Sequence, residues 1–248
     1  MTTTRPTDAP PPAALVVAGA GPDRALLARE AAGLGVGVAS FEAPTDSPLI
    51  LVTSEVDVPA LWESLTPPLC GLIEPDDDGR LTLGAPVIAA AQRGGIGMSL
   101  TTKTAYRAVP AEQLAAALVS RQGVGTDAEW KIELAVQEAV TNGLIHGNLG
   151  IDSGLRRSLC GMKAFGQLLT DRLAEPRLAA RRIVVVAVPT GDGIEVTVTD
   201  EGAGFDFAAR MEQPVEREAT SGRGLGIIRK IARSVRYGDG GRSLHMLF

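Results

Sequence analysis

Glu138-Ala-Val-Thr-Asn142-Gly-Leu-Ile-His146-Gly is the stretch whose reading decides the fold. Glu138, Asn142 and His146 recur at every fourth position, so a helix sets all three on one stripe. Ile132, Val136, Ala139 and Val140 fall largely on another stripe, which should face a core. Thr126-Asp-Ala-Glu129 has the spacing of a capping box, which predicts a helix from there to about His146. The polar stripe is either an ordinary solvated face or one wall of a site. Two further stretches decide between these readings.

Asp200-Glu-Gly202-Ala-Gly204 follows a run in which Ile194, Val196 and Val198 alternate with Glu195, Thr197 and Thr199. That alternation predicts a strand with one buried face. The runs 183–188 and 194–199 flank Thr190-Gly-Asp-Gly193, which predicts a hairpin. Gly222-Arg223-Gly224-Leu225-Gly226 leads into a predicted helix over 225–235. Each stretch has its own chemistry. A carboxylate and a carboxamide one helical turn apart suit a magnesium–nucleotide site, because magnesium takes oxygen ligands and keeps several waters. A carboxylate so placed can orient an attacking hydroxyl and accept its proton. An ionised Asp only accepts hydrogen bonds, so a buried one selects the amino group of adenine over the carbonyl of guanine. Gly202 and Gly204 let a backbone approach a base and turn sharply. Glycines ahead of a helix expose N–H groups to phosphate oxygens, and Arg223 could add a charged contact.

In this order, the three stretches resemble the N, G1 and G2 boxes of the GHKL (Bergerat-fold) ATPases and kinases, and among these the serine kinases that act as anti-sigma factors. The resemblance runs from about Ser99 to the C-terminus. It implies ATP and Mg2+ as cofactors, with Asn142 on the metal and Glu138 as general base. It also implies nucleotide contacts from Asn142, His146, Asp200, Gly202, Gly204, Gly222, Arg223, Gly224, Leu225 and Gly226. His146 either reaches a phosphate or caps the helix end. The polar, glycine-flanked segment 205–220 is expected to be a mobile lid. Leu155, Leu159, Met162, Leu169 and Leu173 predict a helical insert before Pro176.

The first ninety-odd residues differ. Apolar runs at 14–18, 36–41, 49–52 and 69–73 alternate with helical stretches at 23–32, 59–65 and 85–92. This pattern predicts a parallel sheet with helices on both faces, similar to a response-regulator receiver. An acidic pair after the first strand and an Asp ending the third are both missing, since Ala18-Gly19-Ala20 and Thr53-Ser54 stand there. The expectation is a degenerate receiver-like regulatory half. Gly19-Ala-Gly21 mimics a dinucleotide fingerprint, but Arg24 occupies the third glycine position. The fold class expected is two-domain α/β. A 1–12 disordered tail precedes a flavodoxin-like parallel domain over 13–96. A Bergerat-fold α+β sandwich follows over 97–248, its antiparallel or mixed sheet carrying helices on one face. Within it, 98–108 is expected as an edge strand, 110–121 as a helix, and the C-terminus as short of a full final strand.

Composition narrows the function. The 248 residues are 45% hydrophobic and 21% charged, with a net charge of −5. Residues 1–95 carry 12 acidic against 5 basic side chains, and the rest is near neutrality. No basic stripe for nucleic acid and no apolar run long enough for a membrane is present. Cys70 and Cys160 lack metal-ligand spacing and predict two reduced thiols in a cytoplasmic protein. The resemblance implies a serine/threonine kinase acting on a STAS-type antagonist, with a sigma factor as a further partner and a homodimer possible. A non-catalytic ATP-binding switch is the alternative. A histidine kinase is disfavoured, because the two histidines, His146 and His245, are not on an upstream helical hairpin.

Overall fold

The computed structural model describes residues 13–19, 21–41, 47–122, 126–152, 155, 159–204 and 223–248. The expected tail 1–12, the lid 205–220 and Gly222 lie outside the described residues.

The first half begins with β1 (Ala14–Val17), α1 (Arg24–Gly33), β2 (Gly37–Val38), β3 (Leu49–Val52), α2 (Val58–Ser64), β4 (Leu69–Ile73) and α3 (Ala85–Gln92). Next come β5 (Ile96–Thr101), α4 (Thr102–Ala108), α5 (Pro110–Gln122) and α6 (Thr126–Asn142), which passes into a π-helical segment, Gly143–Asn148. The chain continues through α7 (Leu159–Ala174), α8 (Pro176–Ala179), β6 (Arg182–Thr190), β7 (Gly193–Asp200), α9 (Arg223–Ile231), β8 (Ser234–Gly238) and β9 (Ser243–Leu247).

All nine strands form one mixed sheet in the order β2-β1-β3-β4-β5-β6-β7-β9-β8. The first five are parallel in the doubly wound order, reversing beside β1. From β5 onward every pair is antiparallel. The boundary expected at 96/97 therefore falls inside β5, which pairs with both halves, and one apolar core runs beneath both.

This corrects the reading of 98–108. β5 is central, and the chain leaves it at Thr101, whose hydroxyl accepts the Thr104 N–H at 3.2 Å and caps α4. The C-terminal readings are corrected too. α9 stops at Ile231, because the Arg233 N–H bonds to the Leu247 carbonyl at 2.7 Å and draws the chain into the sheet. Val235 thus lies in β8, and β9 is a full strand between β7 and β8.

Side-chain rows cross the antiparallel half. Met98, Val185, Val198 and Leu244 form one, and Leu100, Ile183 and Asp200 the next. The apolar members are all buried. α6 and its π extension cover this face, flanked by α5 and α9. Helices on one face describe only β7, β9 and β8. Beneath β4 to β6 the other face is covered by α3, whose Val87 lies against Gly71. Insert helix α7 builds a separate small core with Ile145, Leu149, Ile151 and Leu178. Cys70 is buried, donates its S–H to the Leu49 carbonyl at 3.2 Å, and burial pushes its thiol up to about 11. The Cys160 side chain lies outside the described residues.

Candidate functional site

The helix stripe changes register before it reaches the site. Beyond Asn142 the bonds lengthen to i→i+5, with Leu149 N–H on the Leu144 carbonyl at 2.9 Å. Such a π segment widens the helix, and these segments recur at functional sites. Here it brings two glycines onto the end of β7. A Cβ on Gly143 would stand 2.7 Å from Ile183 Cδ1 and 3.4 Å from Asp200 Cβ. A Cβ on Gly147 would strike the Asp200 carboxyl group, and one on Gly202 would stand 2.5 Å from the Gly147 backbone. Only glycines allow the N-box and G1-box backbones to touch.

A cavity of about 380 Å³ opens where these elements meet α9. Asn142, His146, Asp200, Gly204, Gly224 and Leu225 all line it. Its apolar walls include Ile151, Val198 and Leu244. Glu138 does not line the cavity, but its carboxylate Oε2 presses on Gly224 at the rim, and Asn142 Nδ2 is 3.4 Å from the Cβ position of that glycine. Gly202 lies behind the wall against Gly147, and Gly226 is exposed with nothing around its Cβ position. The Arg223 side chain and Gly222 lie outside the described residues. His146 Nδ1–H donates to the Ile151 carbonyl at 2.5 Å, so the insert's first residues fix the ring. Nε2 keeps its own capacity to donate or accept.

Asp200 is the electrostatic focus. Burial pushes its carboxyl up from 3.8 to about 6, against the Gly202 N–H on Oδ1 at 2.8 Å and the charges of Arg242 and Arg181. A carboxyl raised in the folded state costs stability when ionised. The cost is full above pH 6 and disappears as pH falls towards the unfolded value. Asp200→Asn keeps the acceptor for Gly202 and is expected to stabilise the fold near pH 7.5 by about 1–2 kcal/mol, after screening at a partly exposed site. Thermal melts of both proteins from pH 8 to pH 4 would check this, since the gap should close at the acid end.

Sequence reasoning missed the frame that holds Asp200. Asn148 is fully buried and its amide is saturated. Nδ2 donates to Thr102 Oγ1 at 2.8 Å and to the Arg182 carbonyl at 2.9 Å, while Oδ1 accepts the Glu201 N–H at 2.8 Å. The Glu201 carboxylate in turn accepts the Arg182 N–H at 2.6 Å. Arg182 is 1% exposed, with its guanidinium paired to Asp76 and donating to the Glu74 carbonyl at 2.5 Å. Thus the turn after β7 is tied to the end of β4. An Asn directly after the N box was the available signal for Asn148, whereas nothing in the sequence marked Arg182.

A magnesium–adenine nucleotide fits this site. The volume lies within the range of small-molecule pockets. A half-buried carboxylate acceptor stands at one end, and an Asn beside a helix N-terminus at the other. No helix among the described residues is long and apolar enough to cross a membrane. The family model for the histidine kinase-like ATPase domain matches residues 100–248. A comparison with curated proteins found no match.

Proposed function

From the premise that this chain belongs to the histidine kinase-like ATPase family, with its ATP-binding domain over 100–248, we propose that it is a protein serine/threonine kinase of the anti-sigma type. It transfers the γ-phosphoryl group of ATP to a serine on a STAS-type antagonist. The observation that carries the reading is the single cavity shared by Asn142, Asp200, Gly204 and Gly224.

The roles follow from position. Asp200 accepts the adenine amino group, and Val198 and Leu244 flank the base. The α9 N-terminus presents the N–H groups of its first turn to phosphate oxygens, joined by Gly222, Arg223, Leu225 and Gly226. Asn142 would hold Mg2+, which would supply positive charge to offset that of the phosphates. Glu138, at the rim beside Gly224, takes the proton of the acceptor serine. His146 Nε2 serves the phosphates, because Nδ1 is already committed to Ile151.

The parallel half would be the regulatory, receiver-like partner of this machine. Its doubly wound strand order supports that role. At the ends of β1 and β3, Gly19 and Thr53 stand beside Glu55, whose Oε2 is 2.5 Å from the Gly19 Cβ position. No Asp ends β1 or β3, which supports a docking role over a phospho-acceptor one. A sigma factor and a second copy of the chain are further proposed partners, in the cytoplasm. The second reading, an ATP-binding switch without transfer, is favoured by one observation: Arg182 and Glu201 link the nucleotide end of β7 directly to the parallel half.

Incubation with γ-labelled ATP, magnesium and a co-encoded STAS-type protein separates the two. Label on a serine is expected, and none with Asp200→Asn. ATP binding with no label transferred under any condition would favour the switch.

A further inference from the structure

Arg242 has no role in the reading above, yet it lines the cavity beside Asp200. Its position follows from the strand register. Thr199 and Ser243 are paired across β7 and β9, with their hydroxyls 2.9 Å apart on the outer face. The next pair along, Asp200 and Arg242, therefore turns towards the cavity. The two are joined by the Asp200 N–H on the Arg242 carbonyl at 3.0 Å.

The stem of Arg242 is held on two sides. Its Nε–H donates to the Asp239 carbonyl at 3.0 Å within the β8–β9 connection. Its Cγ lies 3.2 Å from the Cβ position of Gly204. Gly204 adopts φ +71° and presses on the Gly240 carbonyl, so both loops close on the arginine stem. The terminal nitrogens Nη1 and Nη2 have no partner among the described residues. A planar cation with an anchored root and an unengaged tip therefore stands at the Asp200 end of the cavity. The phosphate end, at Gly224, is marked instead by Glu138 and Asn142.

We propose that Arg242 is a base-binding residue, its guanidinium lying over the face of the adenine whose amino group Asp200 accepts. The inference rests on the adenine-nucleotide reading of the cavity. Guanidinium groups stack on aromatic faces more readily than ammonium groups, because they are planar and weakly hydrated. Val198 and Leu244 give the base apolar contact, and neither offers it a planar cation. Arg242 also supplies positive charge beside the carboxylate that must stay an acceptor.

The test compares adenosine with Mg-ATP on the full chain carrying Arg242→Ala or Arg242→Lys, with ligand-observed NMR for the weaker ligand. Arg242→Ala is expected to weaken adenosine and Mg-ATP by the same factor, about tenfold. Arg242→Lys should recover less than half of that loss, since it restores charge without the plane. Melting temperatures measured on both variants separate loss of the Asp239 contact from loss of base binding. A loss confined to Mg-ATP would make Arg242 a phosphate ligand and overturn the proposal, as would unchanged affinity for both or full rescue by lysine. Wild-type protein that binds Mg-ATP but not adenosine would also overturn it. Failure of the wild type to bind either would overturn the reading of the cavity itself.

Discussion

Arg182→Ala is expected to lower folding stability by about 3–5 kcal/mol, the range for breaking a buried ion pair by removing one partner. The side chain is the largest fully buried one among the described residues. Its guanidinium pairs with Asp76 and donates to the Glu74 carbonyl. Around them the Glu74 carboxylate accepts the Thr101 N–H at 2.7 Å and the Thr104 hydroxyl at 2.7 Å, and Thr82 donates to Asp76. Alanine would leave both a cavity and a partly buried carboxylate without its cation. Arg182→Met together with Asp76→Asn retains volume and removes the orphaned charge, and should recover most of the loss. Urea unfolding midpoints for the three proteins would check this. A single alanine variant as stable as wild type would mean that the seam between the halves does not depend on this pair.

Glu138→Gln is expected to lower phosphoryl transfer to the acceptor serine by about 10²- to 10⁴-fold, the usual contribution of a positioned general base. Glutamine keeps the size of the side chain against Gly224, so Mg-ATP affinity should stay within a few-fold of wild type. Single-turnover transfer and nucleotide titration, measured on the same protein, would show whether the defect lies in the chemical step. Equal losses in both would reassign Glu138 to binding.

The parallel half was legible where apolar runs end in clear breakers. The runs at 49–52 and 69–73 became β3 and β4, and 85–92 became α3, because turn residues bound each of them. The same periodicity misled at the C-terminus. Ile228, Ile231, Ala232 and Val235 keep helical spacing, yet the Arg233 N–H takes a strand partner, and long-range pairing overrides local pattern. Missing β8 and β9 concealed Arg242 and Tyr237, both of which line the cavity.

Asn142, Asp200 and Gly224 were brought into one cavity as their three stretches implied. The sequence carries no sign of the π segment, because a widened turn uses the same residues as a regular one. That is why Gly143 and Gly147 looked like incidental glycines and not the contact surface for Asp200. Arg182 was invisible for a different reason. Two adjacent arginines ahead of a strand look like solvated cations until topology sets Glu74 and Asp76 against one of them.

The account as a whole depends on what the cavity holds, and calorimetric titration of the full chain with Mg-ATP and Mg-GTP tests that most directly. Mg-ATP should bind about a hundredfold more tightly than Mg-GTP, since the guanine carbonyl would face the Asp200 carboxylate with no proton between them. Asp200→Asn should erase most of that preference. Equal affinity for the two nucleotides, or binding of neither, would contradict the account.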